Sequence, residues 1–425
     1  MTRPIRTLLF STLYPSSSRP NHGIFVETRL RELLKTGAVE TRVVAPVPWF
    51  PSTHPRFGEW AQMASTPIQE CRNGIEVWHP RYLLPPKVGM LMAPLSLALC
   101  ALGTVLRLRR GGYDFDVIDA HYYYPDGVAA ALISRLTGKP LVITARGTDL
   151  NLLPRYTIPR ALIRWAGARA SASIGVCRAL VDVLGSLGVD PSHLHVFRNG
   201  VDLERFHPCD GSGHRHALGL DDDEIFLLSV GHLIERKGHD IVIRALPLMR
   251  ERGLKVRLAV VGSGPMRAPL EELVATLGLQ HQVTFVGSVA NAELAGWYSA
   301  ADYLVLASSR EGWANVLLES LACGTPVLAS NIWGTPEVVR EPVAGSLFEP
   351  RTPQALADSL ATDMRRARTV DEVRQYAEGF SWADTSAAQV RLFESLLPAS
   401  ESPSEGGGRC HCTDNSSKAV DRRVA

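Results

Sequence analysis

The chain has almost no net charge and very few lysines. Its 45 Lys and Arg against 43 Asp and Glu leave a formal net charge of +2 at pH 7, so there is no electrostatic case for a nucleic-acid partner. Arginine supplies most of the positive charge, and the only lysines are Lys35, Lys87, Lys139, Lys237, Lys255 and Lys418. A lysine inside a motif is therefore more informative here than usual.

Metal-ligand patterns are also missing. The 7 cysteines are scattered, and only Cys410 and Cys412 lie close together. A structural zinc ion needs four ligands, and no second cluster accompanies this pair. We therefore expect no metal site, and unpaired thiols in a reducing compartment.

The apolar run at the N-terminus is too short for a signal peptide, so we expect a cytoplasmic protein. One segment, Val88–Leu106, carries no charge and is followed by Arg107, Arg109 and Arg110. Two glycines and a proline interrupt it, and it lies between strands of one predicted sheet. We expect a buried or surface-docked helix rather than a membrane span. Its basic end would suit the anionic inner face of the plasma membrane, as a peripheral contact.

Strand and helix patterns alternate in both halves of the chain, which predicts an α/β fold with two doubly wound, parallel sheets. We place a first domain at 1–205, a second at 206–378, and a last helical segment at 379–397. The polar composition of 398–425 cannot bury a core, so that tail is predicted to be disordered. The strands are predicted near residues 7–13, 40–45, 115–119, 141–144, 173–176, 194–197, 225–230, 256–261, 283–286, 303–307 and 327–329.

The most informative stretch is EGWANVLLESLACGTPV, which begins at Glu311. Glu311 precedes a short helix that Asn315 would cap and Gly324 would end, with Glu319 about one turn inside. The free backbone N–H groups of such a helix end bind phosphate, and carboxylates accept hydrogen bonds from sugar hydroxyls. The stretch therefore predicts a site for a ligand that has both a phosphate and a sugar.

A second charged loop follows the strand predicted at 225–230 and carries His232, Arg236 and Lys237. A lysine between a strand and a helix is a compact charge that suits a diphosphate. Gly262 and Gly264 follow a neighbouring strand, at the edge where open α/β sheets bind ligands.

These strings resemble the Glu, seven residues, Glu motif of the retaining glycosyltransferases of family 4, and the resemblance covers residues 5–397. Members have the GT-B fold, in which two Rossmann-like domains face a cleft and a C-terminal helix crosses back to the first domain. The resemblance implies that Glu311 meets the donor sugar and Glu319 the ribose of the nucleotide. It also implies that Lys237 acts at the leaving diphosphate and that His121, after the strand predicted at 115–119, lies at the reacting face.

The chain departs from the family pattern at several positions. His232 stands where the family usually has Arg, and Arg146 stands where relatives often have His. Gly23 resembles the glycine loop on the acceptor side, where Arg146 would also lie. Two turns are similar to family turns as well, one with Arg198 in place of a proline and one that ends in Glu337. The other residues that the resemblance assigns to the nucleotide sugar are Arg236, His232, Gly262, Gly264, Gly312, Trp313, Ala314, Asn315 and Val316.

The resemblance implies metal-independent transfer of a hexose from a UDP- or GDP-sugar to a hydroxyl group, with retention of configuration. The acceptor would be a glycan or a lipid-linked molecule in polysaccharide or glycolipid assembly, and no cofactor is needed beyond the donor substrate. Two alternatives are a GT-B nucleotide-sugar epimerase and a non-catalytic nucleotide-sugar-binding partner protein. The departures at His232 and Arg146 motivate the second alternative.

Overall fold

The computed structural model describes residues 3–397, so the tail predicted at 398–425 lies outside the described residues. Two sheets dominate the structure. Eight strands of the first half form one sheet in the order β10-β9-β8-β7-β1-β2-β5-β4, and six strands of the second half form another in the order β13-β12-β11-β14-β15-β16. All neighbouring strands pair in parallel except β4, which runs antiparallel to β5.

The strands of the first half are β1 (Ile5–Phe10), β2 (Val39–Val44), β3 (Val47–Pro48), β4 (Gln69–Arg72), β5 (Ile75–Trp78), β6 (Arg81–Tyr82), β7 (Val117–His121), β8 (Leu141–Ala145), β9 (Ala172–Gly175) and β10 (Leu194–Val196). Its helices are α1 (Ile24–Leu34), α2 (Glu59–Ser65), α3 (Gly89–Arg110), α4 (Val128–Thr137), α5 (Thr148–Asn151), α6 (Thr157–Gly167) and α7 (Arg178–Ser186). The central strands β7, β8 and β9 are buried along their whole length, as expected when helices cover both faces of a parallel sheet.

The strands of the second half are β11 (Ile225–Val230), β12 (Val256–Val261), β13 (Val283–Gly287), β14 (Tyr303–Leu306), β15 (Val327–Ser330) and β16 (Gly345–Phe348). The helices are α8 (Ser212–Ala217), α9 (His239–Glu251), α10 (Arg267–Thr276), α11 (Leu294–Ala300), α12 (Asn315–Ala322), α13 (Thr335–Val338), α14 (Pro353–Asp363), α15 (Val370–Glu378) and α16 (Trp382–Ser395). The two doubly wound α/β sheets confirm the predicted fold class.

The last helix returns to the first half of the chain. Phe393 and Val390 of α16 are buried in one apolar cluster with Ile5 of β1, Leu33 of α1 and Val117 of β7. A larger cluster contains residues of both halves, among them buried side chains of β8 and of α12. The two sheets are therefore joined by a shared apolar core as well as by α16.

The uncharged segment before Arg107 forms most of α3, whose 22 residues make it long and apolar enough to cross a membrane by length and composition. One face of α3 packs into the core of the first domain through Leu97, Ala101 and Val105. The other face exposes Met90, Leu91, Met92, Leu95 and Leu99. The helix is thus one layer of the first domain, with an apolar strip open to its surroundings.

Candidate active site

A cavity of about 410 Å³ lies between the two halves of the chain and is lined by loops at the carboxyl ends of both sheets. Nine of the sequence-predicted residues line it, namely Arg146, Arg236, Lys237, Glu311, Gly312, Trp313, Ala314, Asn315 and Val316. The first domain also contributes Leu13, Phe25, Tyr122, Gly147, Thr148, Asn151, Val176 and Asn199. Such a position is where open α/β sheets bind ligands.

Glu311 forms the centre of a charged cluster in this cavity. Its Oε1 accepts hydrogen bonds from Lys237 Nζ and from Ser308 Oγ, both at 2.7 Å, and its Oε2 lies 3.4 Å from Arg236 Nη1. Only 8% of the residue is exposed. Burial by itself raises the pKa of Glu311, but Lys237 and Arg236 outweigh it and the pKa is lowered. The cluster of one carboxylate and two cations therefore keeps a net positive charge facing the cavity.

Helix α12 points its N-terminus into the same cavity. Its N-cap residue is Ala314, and no side chain caps it, which leaves backbone N–H groups free for a ligand. The predicted capping role of Asn315 is wrong. Asn315 is the first helical residue, and its Oδ1 accepts a hydrogen bond from Asn199 Nδ2 at 3.2 Å. An uncapped helix end beside Lys237 suits a phosphate group.

Glu319, one turn into α12, is only half-buried and does not line the cavity. Its Oε2 accepts a hydrogen bond from the Tyr298 hydroxyl at 2.8 Å. Burial raises the pKa of Glu319, and the Tyr298 hydrogen bond and Arg205 offset only part of this effect. The two glutamates of the motif therefore differ in environment: Glu311 is paired with cations, whereas Glu319 is hydrogen-bonded to a neutral phenol.

His121 is 1% exposed and does not line the cavity. Its Nδ1 contacts Arg146 Nη2, and its Nε2 lies 3.3 Å from Asp119 Oδ2. A guanidinium can only donate, so Nδ1 accepts and Nε2–H donates to Asp119. Burial lowers the pKa of His121 to about 4, which keeps the ring neutral. A direct contact between His121 and the sugar stays a prediction, whereas Arg146, which contacts His121, lines the cavity itself.

Arg146 is the first-domain cation that faces the cavity. Besides His121, its guanidinium contacts Asn199 Oδ1 at 3.3 Å and lies over the ring of Phe25, 5.6 Å from the ring centroid. Its backbone approaches the second domain closely, because a Cβ on Gly312 would lie 1.9 Å from the Arg146 carbonyl oxygen. Only glycine at 312 allows the two loops to meet.

The remaining predicted residues lie around the cavity rather than in it. Gly262 and Gly264 have φ values of 141° and 155°, and a Cβ there would lie 1.9 Å from Gly231 O and 2.5 Å from Leu233 O. They hold two loops together, and a contact with nucleotide stays a prediction, as it does for the exposed His232. Gly23 begins α1 with φ 68° and packs against the Leu13 backbone.

Several contacts were not predicted from sequence. Asp119 accepts a hydrogen bond from Gln389 Nε2 at 3.1 Å, and Gln389 Oε1 accepts one from Arg29 Nε at 2.9 Å. These residues link α16 and α1 to the strand that carries His121. A polar residue two positions before His121 on a buried strand was the available signal, since side chains two apart share a face. Nothing in the sequence indicated Gln389.

Within residues 3–397, no three or more His, Cys, Asp and Glu side chains are grouped so that they could hold a metal ion. The charges that face the cavity in the described chain come from Arg146, Arg236, Lys237 and Glu311.

Comparison with known proteins agrees with this geometry. Residues 213–379 match the family model described as Glycosyl transferases group 1, and residues 60–205 match the model described as Glycosyltransferase Family 4. TuaC of Bacillus subtilis strain 168, provisionally named as a teichuronic acid biosynthesis glycosyltransferase, is 30% identical over 84% of this chain and 88% of its own. D-inositol 3-phosphate glycosyltransferase 1 of Catenulispora acidiphila is 32% identical over 93% of this chain and 96% of its own.

Solved structures share the fold. Sucrose-phosphate synthase from Thermosynechococcus elongatus superposes with a TM-score of 0.73 at 21% identity, over 93% of this chain and 99% of that one. HepE from Anabaena, solved in complex with UDP-glucose, superposes with a TM-score of 0.68 at 20% identity, over 92% of this chain and 99% of that one. Both likenesses extend over both sheets and the cleft between them.

Proposed function

The chain belongs to the family 4 glycosyltransferases of the GT-B fold, and from that premise we propose that it is a retaining, metal-independent hexosyltransferase. Its donor is a UDP- or GDP-sugar, and its acceptor is a hydroxyl group of a glycan or lipid-linked molecule in polysaccharide or glycolipid assembly. The observation that carries the proposal is the cluster of Glu311, Lys237 and Arg236 beside the uncapped N-terminus of α12.

The leaving group is the nucleoside diphosphate. Negative charge develops on its β-phosphate as the bond to the sugar breaks, and Lys237, Arg236 and the backbone N–H groups at the start of α12 stabilise that charge. These groups are already in place and need no reorganisation, which is the condition for effective electrostatic catalysis. Glu311 then binds the sugar hydroxyls, and Glu319 binds the ribose after releasing or sharing its bond with Tyr298.

Retention is the part of the proposal that rests on the family resemblance. The first domain presents Arg146 to the sugar, held by His121 and Asn199, and it presents no carboxylate to the cavity within the described residues. In the proposed reaction, the acceptor hydroxyl attacks on the face that the diphosphate leaves, and the departing phosphate takes its proton. The UDP-glucose bound to HepE supports a uridine nucleotide as the first donor to test.

A turnover assay tests this proposal. Purified protein is given UDP- and GDP-hexoses with candidate acceptors, with and without excess chelator. Activity is expected to survive chelation, and the coupling constant of the anomeric proton in the product should match that of the donor. Loss of activity that magnesium or manganese restores would contradict metal independence, and an inverted product would contradict retention.

The same assay separates the alternatives. An epimerase would convert the nucleotide sugar without any acceptor. A non-catalytic partner would bind the nucleotide sugar in calorimetry with no turnover under any condition.

A further inference from the structure

A second, smaller cavity lies in the first domain next to the cleft. Its volume is about 220 Å³, and Leu13 lines both cavities. Drug-sized ligands occupy pockets of about 300–1,000 Å³, so this one is suited to a single ring or a similar group. A molecule that reaches the donor sugar from the first domain would pass along Leu13 and place its neighbouring group here.

One positive charge faces this cavity. Arg19 is half-buried, and its Nη2 contacts His22 Nδ1 at 2.9 Å. His22 Nε2 lies 3.0 Å from the Thr12 carbonyl oxygen. A carbonyl can only accept, so Nε2 carries the hydrogen and Nδ1 accepts from the guanidinium. Burial and the nearby Arg19 lower the pKa of His22, which agrees with a neutral ring. His22 therefore holds Arg19 in place without neutralising it.

Arg19 has no carboxylate partner within 4.0 Å among the residues that the structure describes. The contrast with Arg72 is informative, because that half-buried arginine is paired with Glu27 at 3.1 Å. The exposed carboxylate of Glu59 is near enough to favour the charged form of Arg19, but burial outweighs it and the pKa of Arg19 is lowered. A guanidinium that is partly desolvated and has no carboxylate in direct contact is expected to attract an anion, and its planar fork matches a carboxylate or a phosphate.

The rest of the wall fits a ring with apolar and hydroxyl-bearing faces. Apolar and aromatic surface comes from Tyr14, Val47, Met63 and Tyr82, and hydroxyl groups from Thr12, Ser16 and Thr66. Among residues 3–397, no lysine and no acidic residue lines the cavity.

We propose that this second cavity binds an anionic sugar residue of the acceptor, a carboxylate- or phosphate-bearing ring, with Arg19 as the partner of the anion and His22 as the residue that positions Arg19. The inference rests on the proposed function, because it takes the cleft to hold the donor sugar. It adds that the enzyme selects acceptors by charge.

The test uses the full chain saturated with UDP, or with GDP if only GDP binds. Glucuronate, glucose 6-phosphate and neutral glucose are titrated separately, and binding is followed by ligand-detected NMR and by thermal shift. The wild-type protein is expected to bind at least one charged sugar about tenfold or more tightly than glucose. The titrations with glucuronate and with glucose 6-phosphate show whether the cavity binds a carboxylate or a phosphate.

Arg19→Gln is expected to abolish the preference for the charged sugar and leave glucose binding unchanged. Arg19→Lys keeps the charge but loses the planar fork, so an intermediate preference is expected. Arg135→Gln removes an exposed first-domain arginine away from the cavity and should behave as wild type. His22→Gln should weaken the preference without removing it.

The inference is overturned if the wild-type protein shows no preference for either charged sugar, or if Arg19→Gln retains the preference. Nucleotide binding and transfer are measured on the same variants. Normal nucleotide binding and transfer without charge selection would overturn this inference alone, whereas failure of nucleotide binding in the wild-type protein would contradict the proposed function.

Discussion

At the scale of single residues, removing each of the two glutamates of the motif should have a different effect on UDP affinity and on turnover. Glu319→Ala removes the carboxylate that we propose for the ribose hydroxyls, and a hydrogen bond to a charged group contributes about 1.5–3 kcal/mol. We therefore expect UDP affinity to fall about 10- to 100-fold. Glu311→Ala removes the carboxylate that we propose for the donor sugar, so turnover should fall more than nucleotide affinity.

Calorimetric titration with UDP and initial rates with the full donor measure both effects. Glu272→Ala, at an exposed position of α10, is the matched control. Equal UDP affinity in the wild-type protein and in Glu319→Ala would contradict the assignment of Glu319 to the ribose.

A second residue-scale prediction concerns the buried His239. Its Nδ1 lies 2.9 Å from Ser229 Oγ, and burial, helped by Lys237, lowers its pKa from 6.5 to about 4. Below about pH 6.5 the imidazole of His239 binds a proton in the unfolded chain but stays neutral in the folded chain. The contribution of His239 to the free energy of unfolding is therefore fully present above about pH 6.5 and is lost as the pH falls toward 4. The loss between pH 7 and pH 5 should be about 2 kcal/mol.

His239→Gln cannot titrate and should show a correspondingly smaller loss in denaturant unfolding at the two pH values. His216→Gln changes an exposed histidine of α8 and should keep the wild-type slope. A His239→Gln slope equal to that of the wild-type protein would refute the assignment.

At the scale of elements, strands formed by continuous apolar runs were predictable from the sequence. Elements with short or alternating apolar patterns were not. Strands β11 and β12 lie where predicted, because each is a buried run bounded by polar residues. The hairpin of β4 and β5 was missed, since its strands have only four residues each and β4 has no buried position. Helices α6, α7, α14 and α15 were also missed, although α15 carries a capping box formed by Thr369 and Glu372.

The exposed strip of α3 gives an element-scale prediction. Leu95 and Leu99 are 56% and 66% exposed, and the last turn of α3 carries three arginines. An apolar face with a basic end favours peripheral binding to anionic lipid. We expect high salt or carbonate to release most of the protein from membranes, and Leu95→Asp with Leu99→Asp to lower the bound fraction on anionic vesicles several-fold.

Met364→Asp changes an exposed apolar residue of the second domain and serves as the control. Retention through carbonate washing would instead indicate a membrane span. Equal vesicle binding by the double variant and the wild-type protein would exclude α3 as the contact.

At the scale of the whole molecule, the sequence predicted two domains and the residues that the second domain contributes to the cleft. It predicted less well the contacts that join the two domains across the cleft. The donor loop was readable because its residues are consecutive, from Glu311 to Val316. The links between Arg146, Asn199 and Asn315 join residues that are more than 50 positions apart. No local pattern encodes such contacts, which depend on how the two sheets are brought together.

Glu337 is one of the residues that join the two halves of the chain. Its Oε1 accepts a hydrogen bond from the backbone N–H of Arg178, the first residue of α7, at 2.6 Å. Its Oε2 accepts one from Arg198 Nε, also at 2.6 Å. The N-cap residue of α7, Cys177, makes no side-chain cap of its own, so a carboxylate from the second domain caps a helix of the first.

The contact with Arg198 is partly buried and the contact with Arg178 is exposed, so each contributes less than the about 1.5–3 kcal/mol of a charge-assisted hydrogen bond that is protected from water. A carboxylate at a helix N-terminus is further favoured by the helix dipole. Glu337→Ala should therefore shift the protein toward open conformations.

We expect a larger radius of gyration in solution scattering and a turnover about tenfold lower or more, because Arg146 and Glu311 then meet the sugar together less often. UDP affinity should change little, since the proposed nucleotide contacts lie in the second domain. Glu337→Gln keeps one acceptor oxygen but loses the charge and the second acceptor, so it should fall between the wild-type protein and Glu337→Ala. Glu341→Ala removes an exposed neighbouring carboxylate and should match the wild-type protein. If Glu337→Ala keeps both the wild-type radius and the wild-type turnover, closure is held by the shared apolar core and not by this carboxylate.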